Sequence, residues 1–372
     1  MIKFSKEQFF NNEFIVSHQR KVKSFILNKK LGIDFFNHSF SFNEVCSDEL
    51  LNSISFDPFV QKGLIKKNDE FLKDYYEISR FLLHGNDYLK IIKIQHKVLS
   101  GSLYKKALAD ERIYIIDKFR HNNILKKFGI NNSDIVKNEK NYLDFHKKII
   151  TAFKKNNKSI AAIFNYNEFL MSVKNIRNDI LNNIKITICP YCNRQYIDTY
   201  SYNGEVKSLA QIDHQFPKLI FPLYSLTLLN FIPSCSYCNC IIKKDKLFPW
   251  ANIYSNRLID EKYFHVIYNN VKGLYGDMDG FDLKVIPKDK DDINNSYFFR
   301  HREIYENHKS DVANLLKKRL IFTDGYRKSI EKILSTKMTE DEFRHFIFGV
   351  TGNEQDYSTI PLSKLKNDIL KS

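Results

Sequence analysis

The apolar positions in the first half of the chain fall on helical spacing. In "FLKDYYEISRFLL", Phe71, Tyr75, Ile78 and Leu82 recur every three or four residues, and Tyr142, Phe145, Ile149 and Phe153 repeat the pattern. The clearest stripe is in "YNEFLMSVKNIRNDILNNI", where Tyr166, Phe169, Leu170, Val173, Ile176, Ile180 and Ile184 line one face. These stripes predict core-facing helices, the last running directly into "KITICPYC", where β-branched residues take over and a different unit begins near residue 185. Farther on, "YFHVIYNNVKGLYGDMDGFDLKVIP" predicts two or more strands around the turn signal from Gly276 to Gly280. Helical spacing returns after residue 300 with Ile304, Tyr305, Val312, Leu315 and Leu316. Thr339 and Glu342 form a capping-box pattern ahead of Phe343, Phe346 and Ile347. The expected fold is α+β and mainly α: a helical region over 1–184, a small insert over 185–255, and a β-hairpin followed by helices over 256–372.

Length and charge sharpen this picture. A chain of 372 residues has room for two or three folding units, each with its own core. Its 58 lysines and arginines against 43 acids leave a net charge of +15, which suits a polyanionic partner, although a lysine-rich surface alone would give the same balance. The opening "MIKFSKEQFFNNEF" lacks the uninterrupted apolar core of a signal peptide, so a cytoplasmic location is expected. The longest apolar run, Leu219 to Pro233, is interrupted at Pro222 and Asn230 and is shorter than the ~20 residues a bilayer requires, so no membrane span is expected.

Six cysteines are present, and four of them form two matched pairs, Cys189 with Cys192 and Cys235 with Cys238; Cys46 and Cys240 stand apart. Two knuckles of this spacing can place four thiolates around one tetrahedral Zn²⁺. Disulfides are the alternative, and a reducing compartment disfavours them. A closed four-sulfur site leaves no position for a reacting water. Its role would be structural, with a binding energy of ~10–16 kcal/mol going into folding. The 42 residues between the pairs exceed a ribbon loop, so something of their own is expected there.

That intervening stretch, with "LAQIDHQFPKLIF", "LLNFIPSC" and "CSYCNCIIKK", resembles the HNH endonucleases, also called His-Me finger or ββα-metal nucleases. Asp213-His214 with Pro217-Lys218 after it, Leu229-Asn230 before "FIPSC", and Asn239 directly after the last paired cysteine carry the resemblance over residues 189–246. The resemblance implies His214 as general base, Asp213 and Asn239 as oxygen ligands of a catalytic Mg²⁺ or Mn²⁺, and Asn230 as the brace of the loop near the histidine. A turn-forming role for Asn230 is the alternative. Lys243 is expected at the scissile phosphate, and Lys218, Lys243 and Lys244 are expected along the nucleic acid. Many members carry histidine in place of Asn239, and often a lysine where Ile242 stands, so weaker metal affinity or a slightly altered helix start is expected here. A second similarity, of "YFFRHREIYENHKSDVANLLKKRL" to the tail of HNH proteins in Septu-type anti-phage systems, implies an ATPase subunit as partner. The chain itself has no GxxxxGK[ST] phosphate loop.

The residue chemistry agrees with these roles. Imidazole titrates near neutrality and can take a proton from water. A carboxylate and an amide oxygen suit a hard divalent cation. Neighbours on a regular strand point to opposite faces, so Asp213 and His214 can share a site only if the chain bends between them. Asn239 is expected to open a short helix that puts Lys243, four positions on, on the same face. His265, His301 and His308 are expected to be ordinary surface or core residues. The function predicted is metal-dependent hydrolysis of nucleic acid, DNA ahead of RNA. The alternative is a zinc-stabilised binding or scaffolding module without catalysis. As an effector subunit, the chain would use its helical first half as a docking surface or a substrate clamp.

Overall fold

A computed structural model of the chain describes residues 10–36, 38–41, 139–203, 205–247, 253–254, 262–287, 290–353 and 355–371, together with 71, 72, 74–76, 78, 79 and 82. Helix dominates among them, and each sheet is a two-stranded antiparallel pair, so the class is α+β and mainly α.

Helix α1 (Asn12–Leu27) starts where the Asn11 side chain accepts the amide of Phe14 at 2.7 Å, and it buries Phe14, His18, Val22, Phe25 and Ile26 along one face. The hairpin of β1 (Gly32–Phe35) and β2 (His38–Ser41) follows. Phe35 packs edge-on against Phe71 and Phe153, and Tyr75 meets both Phe153 and Tyr224. The expected stripe of Phe71, Tyr75, Ile78 and Leu82 is thus helical and buried. Ile149 and Phe153 of α2 (Glu139–Asn156) are buried too, whereas the side chains of Tyr142 and Phe145 lie outside the described residues, as does Cys46.

The seven-residue stripe from Tyr166 to Ile184 is one face in sequence and two helices in space. After α3 (Lys158–Ile163), α4 (Tyr166–Ser172) stops at Val173, which is extended, and α5 (Ile176–Ile184) starts after Asn175, whose φ of 62° lies in the left-handed region. Asparagine tolerates that region better than most residues, and a β-branched valine gives the helix little reason to continue. Both halves still bury their apolar sides.

"KITICPYC" also departs from expectation. It forms a single β-bridge, Ile188 to Tyr196, instead of a strand. The amides of Thr187 and Ile188 both donate to the carbonyl of Ser358 near the C-terminus, which uses up the donors a ladder would need. Next come the hairpin of β3 (Thr199–Tyr202), which is exposed, and β4 (Glu205–Ser208), and then β5 (Gln211–His214) paired with β6 (Phe231–Ser234). The expected strands are β7 (Phe264–Tyr268) and β8 (Phe281–Val285), joined through the short helix α6 (Val271–Leu274). Gly273 and Gly280 meet so closely there that a Cβ on either would strike the other's backbone.

The C-terminal helices are α7 (Lys290–Phe298), α8 (His301–Glu306), α9 (Lys309–Ile321), α10 (Asp324–Leu334), α11 (Glu340–Phe348), α12 (Asp356–Thr359) and α13 (Ser363–Leu370). Thr339 and Glu342 form the expected reciprocal capping box at α11. No helix among the described residues is long and apolar enough to cross a membrane.

One hydrophobic core runs through all three stretches and grips the insert from two sides. The N-terminal side holds the loop between β5 and β6. His18 Nε2 meets the Leu226 carbonyl at 2.9 Å, Asn157 donates to the Ile220 carbonyl at 3.1 Å, and the Leu223 amide donates to the Tyr75 hydroxyl at 3.4 Å. The C-terminal side holds the first cysteine knuckle. Tyr305 donates to the Cys192 carbonyl at 2.6 Å, and the Asn193 side chain accepts the Lys364 amide at 3.0 Å while donating to the Tyr357 carbonyl at 3.1 Å.

Candidate functional site

The four paired cysteines meet. Cys189, Cys192, Cys235 and Cys238 are all buried, and their sulfurs lie within 4.8 Å of one another. A tetrahedral ion with Zn–S bonds of ~2.3 Å needs sulfurs roughly 3.8 Å apart, so the cluster can close on a metal such as zinc with little movement. Four thiols this close compete for protons. Burial pushes Cys189 up, the sulfur of Cys189 pushes Cys238 up, and S–H groups from Cys189 pull Cys235 down. A dication resolves the conflict by holding all four as thiolates. Cys240 is exposed and outside the cluster, its sulfur 3.0 Å from Gln211 Oε1.

Asp213 and His214 are the last two residues of β5, opposite Ile232 and Phe231. The chain bends at Gln215 and Phe216, after the pair and not between its members. Strand alternation therefore sends the two side chains to different neighbours. The ring of His214 packs edge-on against Tyr166 at 4.5 Å and Phe231 at 5.3 Å between centroids, and its Nε2 donates to the Ser225 carbonyl at 3.0 Å. A carbonyl accepts only, so Nε2 carries the proton and Nδ1 is the basic nitrogen of the neutral ring. Burial, helped by the charge of Lys218, lowers the ring's pKa to about 3.

The carboxylate of Asp213 turns to the cysteine side. Tyr191, inside the first knuckle, donates to Oδ2 at 2.5 Å, and the Lys243 ammonium donates to Oδ1 at 2.7 Å. Burial raises the Asp213 carboxyl and Lys243 opposes that rise; burial also keeps the Tyr191 phenol protonated and able to donate. Lys243 is only 1% exposed and Asp213 4%. In such a buried pair, removing one partner typically costs ~3–5 kcal/mol because the other charge is left uncompensated. The two residues of the Asp213-His214 pair do meet at Lys243, but through the backbone of His214: Nζ also donates to the His214 carbonyl at 2.7 Å.

Asn239 and Lys243 lie in a π-helical turn, Tyr237–Lys243, closed by the Lys244 amide on the Asn239 carbonyl at 2.7 Å. Asn239 sits inside this turn instead of opening it. Its Nδ2 donates to Oε1 of Gln211, two residues before Asp213, at 3.0 Å, so Asn239 and Lys243 reach the same side of β5. The oxygen donors have the right chemistry for a divalent cation, yet each oxygen of Asp213 already has a donor on it. As arranged, these residues seat an ammonium and do not fit the implied Mg²⁺ or Mn²⁺.

Asn230 is fully buried and clasps the loop: Oδ1 accepts the Phe216 amide at 2.6 Å, and Nδ2 donates to the carbonyls of Phe216 at 3.2 Å and Tyr224 at 2.8 Å. Lys218 stands on the histidine side, 4.7 Å above the Tyr166 ring and 3.1 Å from Asn167 Oδ1. Lys244 is exposed. Of the other histidines, His301 is buried between the Tyr191 carbonyl at 2.7 Å and the Tyr263 hydroxyl at 2.8 Å. His308 meets Asp311 and Arg194, and His265 its own backbone neighbour at Lys262.

Sequence reasoning missed Tyr191, Gln211, Tyr166 and Ser225. Gln211 was legible from the two-residue period of β5, and Tyr191 from its place between two ligand cysteines. Tyr166 and Ser225 reach His214 only through tertiary contact. Compared with protein-family models, curated proteins and solved structures, the chain matches none.

Proposed function

We propose that residues 185–255 form an HNH-type core, and that the chain hydrolyses phosphodiester bonds of nucleic acid, DNA ahead of RNA, as an effector nuclease of a bacterial anti-phage system working beside an ATPase subunit. The orientation of His214 carries this reading: Nε2 is tied to the Ser225 carbonyl, which leaves Nδ1 as the proton acceptor. Asn230 holds the backbone on both sides of that arrangement. In the reaction, Nδ1 removes the proton of a water whose oxygen bonds to phosphorus as the phosphorus–oxygen ester bond breaks, and the departing oxygen is protonated by solvent. Lys218 supplies positive charge beside the ring. The negative charge of a bound phosphate raises a buried imidazole's pKa towards the range a base needs.

One observation favours the second reading, a zinc-stabilised nucleic-acid-binding or scaffolding module. His214 is 6% exposed and Asp213 is occupied by Tyr191 and Lys243. A panel of duplex DNA, single-stranded DNA and RNA with Mg²⁺ or Mn²⁺, run beside His214→Ala, separates the two. Cleavage lost in the variant with binding retained supports the nuclease. Binding that is identical with and without the metal, and no nicking of any substrate, supports the module. Purification of the native protein from its host without any ATPase in the mass spectrum would count against the partner.

A further inference from the structure

Helix α2 carries a charged face that the site around His214 does not use. Lys147, Lys148, Thr151, Lys154 and Lys155 recur at i, i+1, i+4, i+7 and i+8, which puts them within roughly 100° of one another around the helix, and all five are exposed. Ile149 and Phe153 are buried on the opposite side. α3 then begins with Lys158, also exposed. Lys154 and Lys155 have a local reason to be there, since a cation in the last turn complements the helix dipole. Lys147 and Lys148 have none. Residues 145–167 hold five lysines and no acid; the nearest acids in sequence are Asp144, whose side chain lies outside the described residues, and Glu168, which is paired with Lys29. Among the described residues none of the five lysines has an ion pair, whereas Lys21, Lys29 and Lys309 each meet a carboxylate.

From this we infer that the lysine face of α2 is a track for the phosphate backbone of a nucleic acid that extends beyond the bond at His214. Unpaired like charges on one helix face repel one another, and a polyanion relieves that repulsion while releasing its own counterions. From Lys147 to Lys155 the face runs about 12 Å at ~1.5 Å per residue, enough for three or four phosphates of one strand at ~3.4 Å of duplex axis each. A membrane-surface helix would need its apolar side in the lipid, and that side of α2 lies in the core. The fold sets the track against the loop that orients His214: Phe153 packs on Phe221 at 5.7 Å between ring centroids, and Asn157, next to Lys158, donates to the carbonyl of Ile220, two residues from Lys218. Lys243 is buried on Asp213, so the phosphate contacts fall to lysines that reach solvent. The inference deepens the nuclease reading and rests on it for the place of the bond that is cut; the binding itself does not require cleavage.

The test is the salt dependence of binding of a labelled DNA duplex, and of a single strand of the same sequence, to the full chain with no divalent cation added. One variant combines Lys147→Gln, Lys148→Gln, Lys154→Gln and Lys155→Gln. A control combines Lys317→Gln, Lys328→Gln, Lys332→Gln and Lys337→Gln, which removes the same charge from exposed positions elsewhere. The slope of log affinity against log salt is expected to shrink in the α2 variant by about 3 to 4 on the duplex, at ~0.9 per phosphate contact, and by about 2 to 3 on the single strand, at ~0.7. The control is expected to lose less than about 1. Equal losses in the two sets, an α2 variant that keeps the full slope, or an unaltered protein that binds neither polymer overturns the inference. Lys147→Gln with Lys148→Gln, expected to lose about 2 on the duplex, serves if the four together do not fold. If neither folds, these lysines are structural and the inference fails. A shrunken slope in a protein that cuts no substrate would remove the nuclease reading and leave the track, and cleavage that His214→Ala abolishes, with equal slopes in both sets, would do the reverse.

Discussion

The amide of Asn230 closes on the backbone of Phe216 from both sides, accepting its N–H at 2.6 Å and donating to its carbonyl at 3.2 Å. Asn230 lies 14 positions after Phe216, and the Ser225 carbonyl that orients His214 belongs to the loop between them. Asn230→Ala would remove its hydrogen bonds to the Phe216 amide and to the carbonyls of Phe216 and Tyr224, the last of which keeps the Thr227 amide at 3.3 Å, and each group left unsatisfied costs ~1–3 kcal/mol. A fall in stability on the order of 3 kcal/mol is expected from urea unfolding. A loss below about 0.5 kcal/mol would mean that Asn230 is an ordinary turn residue.

The cysteine cluster is expected to hold one metal ion per chain by elemental analysis, zinc in the purified protein. Since Tyr305 and His301 grip the first knuckle by its carbonyls, stripping the metal should loosen α8 along with the cluster. Near-ultraviolet circular dichroism, which reports the buried tyrosines, should collapse in chelator and in Cys189→Ser alike. An unchanged spectrum from a metal-free protein would rule out a structural centre.

Stability should fall in acid through His18. Burial lowers its pKa from 6.5 to about 4, so the folded ring stays neutral while the unfolded ring takes up a proton below about pH 6.5. The unfolded state thus binds more protons between these values, and stability rises with pH across the window and levels off above it. At pH 5 the contribution is about 2 kcal/mol at 1.36 kcal/mol per unit. The difference in thermal midpoint between pH 5 and pH 7.5 should shrink in His18→Gln, and an undiminished difference would assign the acid sensitivity elsewhere.

His214→Ala is expected to lower cleavage by ~10²–10⁴ while leaving metal content unchanged. Lys218→Ala should weaken nucleic-acid binding similarly across sequences and reduce the slope of log affinity against log salt by about 1. Its ammonium already stacks on Tyr166 beside the His214 ring, so an unchanged slope would place the polymer on another face.

Much of the framework was legible in the chain. Phe71, Tyr75, Ile78 and Leu82 announced a buried helical face by spacing alone, and Thr339 with Glu342 announced a helix start, because both signals are local. The two cysteine pairs announced their cluster because a two-residue gap constrains geometry whatever surrounds it. The break at Asn175 was not legible, since the apolar period continues across it while only the backbone changes. Nor was the fate of "KITICPYC", whose β-branched residues look like a strand until Ser358 takes their amides.

The sequence by itself determined the mainly helical class, the four-sulfur cluster, and the placement of Asp213 and His214 at the end of one strand. Only the tertiary structure decided that Asp213 faces Tyr191 and Lys243 while His214 faces Tyr166 and the Ser225 carbonyl. The reason is physical: strand alternation sends adjacent side chains to opposite sides, but the neighbours waiting there come from segments far along the chain, and a buried charge takes whichever partner the packing brings within reach.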